Sequence, residues 1–145
     1  MRLATGDMLL NPFDVLFFTA NNVVNNGKLV MGAGAARAVK DKWPTTPTLL
    51  GQKILLKQRS GFFGIVYCQQ HNGIIGAFQS KYHWKNPSSL DLIKSSCEQL
   101  SNFAILNISK RISLNFPGIG FGGLKRTDVL PLLEILPDNV TVWER

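Results

Sequence analysis

A chain of 145 residues is long enough for one hydrophobic core and too short for two ordinary domains, and 45% hydrophobic with 17% charged residues is the composition of a soluble globular protein. No apolar run approaches the roughly 20 residues that cross a bilayer, and the first residues lack the basic, apolar and small-residue succession of a secretory signal, so a cytoplasmic chain with no membrane partner is expected. The formal charge of +7 is spread from Arg2 to Arg145; it would steer an anionic partner without naming it, and both a solvated face and a nucleic-acid surface fit.

In chain order, residues 2–5 and 14–19 read as strands. The second carries apolar residues on both alternating sets, Val15 with Phe17 and Leu16 with Phe18, as a central strand covered on both faces does. A polar loop, 21–28, leads to a helix over 34–43 with Ala36, Val39 and Trp43 as its inner stripe, stopped by Pro44. The middle is read as a β-meander: 53–57, a turn at 59–61, 62–68, a turn at 71–73, and 74–78. From Ser88 or Ser89 as cap, a long helix places Leu90, Ile93, Cys97, Leu100 and Ala104 on one face. A buried strand at 112–116, a helix over 127–136 and a last strand at 139–143 complete an α/β chain, with a mixed sheet between helices. Cys68 and Cys97 form no C-x-x-C motif and read as buried thiols, while His71 and His83 have no partner at metal-ligand spacing.

Two turns carry the chemistry. Pro117-Gly118-Ile119-Gly120-Phe121-Gly122-Gly123-Leu124 runs from strand to helix, and its glycines let successive backbone N–H groups turn toward one anion with no Cβ in the way. Met31-Gly32-Ala33-Gly34-Ala35-Ala36 sits in a similar setting, and two such turns imply two phosphates or the two sides of a diphosphate. With the loop after Phe18, both turns are expected around one cleft at the carboxyl ends of the strands. Gly118, Gly120 and Gly123 also fit the dinucleotide fingerprint G-x-G-x-x-G, but the acidic residue that should follow about 20 positions later falls at the very end of the chain, with no second nucleotide half beyond it.

A Gly-Asp pair near the start, an apolar strand ending in Asn, a glycine turn before a helix, and a late strand followed by G-x-G-x-G-G together resemble a macrodomain, the ADP-ribose-binding fold, over nearly the whole chain. The segment Phe78-Gln79-Ser80-Lys81-Tyr82-His83-Trp84 is similar to the DarG-like macrodomains, which remove ADP-ribose from DNA bases. What the resemblance implies is an ADP-ribosyl hydrolase without a cofactor. Its partner would be ADP-ribose or an ADP-ribosylated macromolecule, modified nucleic acid ahead of modified protein. A non-catalytic ADP-ribose-binding module and an ADP-ribose 1″-phosphate phosphatase are the alternatives.

On the same resemblance, Gly6-Asp7-Met8 matches the motif whose Asp accepts from the adenine amino group. Thr19-Ala20-Asn21 matches the end of the N-A-A-N motif, whose last Asn contacts the distal ribose; Phe18 replaces its first Asn, and Asn22 competes with Asn21 for the role. Met31, Gly32, Ala33, Gly34 and Ala35 match the first phosphate turn, and Pro117, Gly118, Ile119, Gly120, Phe121, Gly122 and Gly123 the second. Lys81 is implied as the catalytic residue, its amine attacking the anomeric carbon or stabilising the departing group. Asn21 with a bound water is the other catalytic candidate. An Asp that assists relatives acting on acidic side chains is Gly122 here, and Trp84 is placed to stack on a base.

Overall fold

The computed structural model describes residues 1–71 and 73–145. Five strands run parallel: β1 (Arg2–Thr5), β2 (Val15–Ala20), β6 (Gly73–Gln79), β7 (Ile112–Asn115) and β8 (Val140–Glu144). With β5 (Ile65–Gln70) antiparallel to β6, they form a sheet in the order β1-β8-β7-β2-β6-β5, the mixed sheet between helices that the sequence predicts. A separate two-stranded ribbon, β3 (Val24–Asn25) and β4 (Lys28–Leu29), follows β2. Helices α1 (Gly34–Lys42) and α2 (Thr46–Lys57) cover one face of the sheet, and α3 (Leu90–Leu106) and α4 (Arg126–Leu133) the other. No helix among the described residues is long and apolar enough to cross a membrane.

The alternation read in β2 divides the core. Val15 and Phe17 pack with Ile93, Leu100 and Val129 on the α3/α4 side, whereas Leu16 and Phe18 pack with Val39, Leu50 and Ile54 on the α1/α2 side. All four β2 side chains are fully buried, each stabilising the fold by roughly 1.5–3 kcal/mol. Helix α3 starts where expected: the Ser89 hydroxyl accepts from the Leu92 N–H, and Asp91 complements the dipole in the first turn. Cys68 and Cys97 belong to opposite cores as free thiols, and burial raises both, Cys97 to about 12.

Two expected elements differ. Residues 53–57, read as a strand, are the last turns of α2, so the meander reduces to the β5–β6 hairpin. Pro47 stands at the helix start, and Thr46, Leu50 and Ile54 form the buried stripe. The exposed Leu55 and Leu56 imitate a strand-like apolar block. Gly51 interrupts the pattern because α2 lies directly on the ribbon: a methyl group there would overlap the Gly27 carbonyl. The loop read at 21–28 is largely the β3–β4 ribbon, which runs on to Leu29 and whose Asn26-Gly27 turn has φ of 52° and 76°. The expected turn at 59–61 is present, with Arg59 bridging Phe62; that at 71–73 includes Asn72, which lies outside the described residues.

Candidate active site

Because five strands run the same way, the segments after β1, β2, β6, β7 and β8 all emerge at one edge of the sheet. A cavity of about 580 Å³ opens there. Asn115 helps create it. The β2–β7 ladder stops at Phe17 opposite Leu114, and the Asn115 side chain takes over, its Oδ1 accepting from the Thr19 N–H and its Nδ2 donating to Thr19 Oγ1, each at 2.9 Å. The two residues of this contact lie 96 positions apart in the chain.

One side of the cavity is backbone. Gly32, Ala33, Gly34 and Ala35 line it at the start of α1, where no side chain caps the helix and the first N–H groups are left for a ligand. Gly118, Ile119, Phe121 and Gly122 face them. Gly118 takes φ of 81°, and a methyl group on it would press on Ile93 and Leu124, so packing requires this glycine independently of any ligand.

The other side is built from side chains. Asn21 lines it while its amide staples the ribbon, Oδ1 accepting from the Val23 N–H at 2.7 Å and Nδ2 donating to the Val30 carbonyl at 3.1 Å. Half-buried Lys81 follows β6. The N–H groups of Ser80 and Lys81 both donate to the Ala20 carbonyl, at 2.9 and 3.3 Å. Buried Gln79 holds this segment to the 59–64 turn: Nε2 donates to the Gly61 and Lys81 carbonyls, and Oε1 accepts from the Phe63 N–H. Lys81 is the one ionisable side chain among the described residues lining this cavity.

The structure superposes on the macrodomain of Thermus aquaticus DarG with a TM-score of 0.80 at 26% identity, over 98% of this chain and 95% of that one. It superposes on the macrodomain of Mycobacterium tuberculosis DarG at 0.78 and 25%, over 99% and 97%. The chain has the macrodomain fold. Thermosipho africanus DarTG, solved in complex with ADP-ribose, matches at 0.81 and 24%, with 98% of this chain covering 41% of that one. No protein-family model and no curated protein sequence matches the chain.

A second cavity of about 360 Å³ adjoins the first and shares Gly34, Ala35, Asn115, Phe116 and Ile119 with it. Asp7 and Met8 line it beside Trp143 and Arg145. Asp7 Oδ1 accepts from the Leu9 N–H at 2.9 Å, and Oδ2 pairs with Arg145 at 2.7 Å, so the carboxylate is held in a fixed orientation. Asp7 and Lys81 therefore stand at opposite ends of a joined cleft with the glycine turns between them. Ala20 lies on the floor. Five expected contact residues, Asn22, Met31, Pro117, Gly120 and Gly123, line neither cavity. Met31 is buried in the α1/α2 core, and the Gly123 N–H closes its own turn on the Gly120 carbonyl.

At the mouth stand Trp84, 49% exposed, and Phe121, 89% exposed. The Lys85 ammonium lies 5.1 Å from the Trp84 ring centroid, and His83 packs beside that ring at 5.0 Å.

Proposed function

We propose that this macrodomain binds ADP-ribose along the joined cleft and hydrolyses an ADP-ribosyl linkage, with modified DNA bases preferred over modified protein. The observation that carries this is the placement of Lys81, at the end of the cleft away from Asp7, in the larger cavity, where no carboxylate among the described residues lines the wall to activate water. Adenine lies at Asp7, the diphosphate between the α1 start and the 118–122 turn, and the distal ribose at Lys81. The Lys81 amine attacks the anomeric carbon. The bond to the acceptor breaks with its electron pair, the acceptor takes a proton, and the ring-opened sugar remains as an imine that water hydrolyses to restore the amine. An ammonium at the same place would instead stabilise the departing group.

Nucleic acid is favoured by three features: the formal charge of +7, the exposed Trp84 and Phe121 as stacking surfaces at the mouth, and a glycine at 122 where relatives acting on acidic side chains have an Asp. The test is a side-by-side incubation with ADP-ribosylated DNA, ADP-ribosylated protein and ADP-ribose 1″-phosphate. Release from DNA faster than from the others is expected. Turnover of none of the three leaves a binding module, and turnover of the 1″-phosphate alone makes it a phosphatase.

A further inference from the structure

Ser88 stands in the wall of the larger cavity with 7% of its surface exposed. Its backbone N–H donates to the Gly122 carbonyl at 2.8 Å, tying the segment after Lys81 to the glycine turn. The neighbouring Ser89 hydroxyl caps α3, whereas Ser88 lines the cavity. The Ser88 hydroxyl can both donate to and accept from a molecule in the cavity that the residue lines. That hydroxyl also explains Gly122. A methyl group on Gly122 would overlap Ser88 Oγ, and Gly122 does not take a positive φ, so a side chain there would meet occupied space rather than backbone strain. The hydroxyl fills the place that a side chain at position 122 would take.

We infer that Ser88 is a specificity residue for the distal sugar: its hydroxyl, which both donates and accepts, hydrogen-bonds the hydroxyls of the ribose presented to Lys81. The inference rests on the ADP-ribose reading above, which sets the distal ribose at the Lys81 end of the cleft. A carboxylate in the same place could only accept, and would add negative charge beside the diphosphate. With Ser88 there, this end of the cleft recognises sugar hydroxyls through a neutral group, and Lys81 is the one charge among the described residues that line it.

Calorimetric titration with ADP-ribose and with ADP, which lacks the distal ribose, separates this role from a structural one. Ser88→Ala is expected to weaken ADP-ribose binding about tenfold and to leave ADP within about twofold, since one neutral hydrogen bond is lost. Equal losses for both ligands would reduce Ser88 to a support of the turn, and unchanged ADP-ribose affinity in a folded Ser88→Ala would make the hydroxyl idle. If Ser88→Ala does not fold, Ser88→Cys carries the same comparison at nearly the same size. Absence of ADP-ribose binding by the unsubstituted protein is a separate result, and it overturns the underlying reading instead.

Discussion

The two sides of the cleft are built on opposite plans. The side formed by Gly32–Ala35, Gly118 and Gly122 works through absent side chains, so that backbone meets the ligand, with open space where a side chain would stand at Gly32 and Gly34. The part formed by Asn21, Lys81 and Ser88 works through present ones, Asn21 held by its side-chain amide and Lys81 and Ser88 by backbone hydrogen bonds to another part of the chain. Added bulk should therefore damage the first and lost atoms the second.

The largest effect is expected from truncating the side-chain wall. Lys81→Ala should lower single-turnover release of ADP-ribose by about 10²–10⁴-fold with little change in ADP-ribose affinity, because the amine acts mainly in the transition state. Lys81→Arg keeps the charge but cannot attack carbon, so its failure to restore turnover, with borohydride trapping of ADP-ribose on Lys81, identifies a nucleophile. Unchanged turnover in Lys81→Ala would transfer the role to Asn21 and a bound water.

Filling the backbone wall comes next. A side chain at Gly32 meets nothing within 4 Å, and this glycine does not take a positive φ, so Gly32→Glu should fold normally. Its carboxylate then competes for the anion's place, and ADP-ribose affinity should fall at least about 100-fold. Gly34→Glu and Gly120→Glu are less clean tests, because φ of 58° and 66° adds backbone strain to any lost contact. Normal binding by Gly32→Glu would leave the first glycine turn without a ligand.

The smaller cavity sharpens the contrast. Asp7→Ala should weaken ADP-ribose about tenfold and leave ribose 5-phosphate, which has no adenine, unaffected. Parallel losses would assign Asp7 to its bonds with Leu9 and Arg145 alone.

The smallest effect lies in the frame behind the cleft. Arg126 hydrogen-bonds Glu144 and lies 5.5 Å from the Phe116 ring centroid, and Phe116 lines both cavities. The hydrogen bond from Arg126 holds the Glu144 carboxyl below its ordinary 4.5. A depressed folded value means that the stabilisation is present above pH 4.5 and is lost as pH falls through the folded value. Glu144→Gln should thus lower the melting temperature slightly at neutral pH and match the unsubstituted protein in acid. A difference that persists in acid would have another origin.

How much could be read beforehand follows the same division. Backbone cradles are written locally: glycines 118, 120, 122 and 123 and the run 31–36 lie within a few residues, and the alternation of β2 and the stripe of α3 repeat over short spans. From these the mixed sheet between helices and both glycine turns were legible, as was the cleft at the strand ends. The Asn26-Gly27 turn was equally local and marks the ribbon that the polar composition of 21–28 concealed. Helix α2 was not legible, because its buried face is defined by the ribbon that Gly51 touches, and its exposed leucines obey no core.

The sequence by itself determined the α/β class, the central strand and the glycine-built wall, since each depends on residues close together in the chain. Tertiary structure alone decided which side chains share the opposite wall. Asn115 meets Thr19 across 96 positions, Gln79 positions Lys81 through the 59–64 turn, and the Ser88 hydroxyl fills the space beside Gly122. Only the parallel order of the strands brings these residues to one edge, and no local pattern of residue types records which hydroxyl or amide will face the cavity once they arrive there.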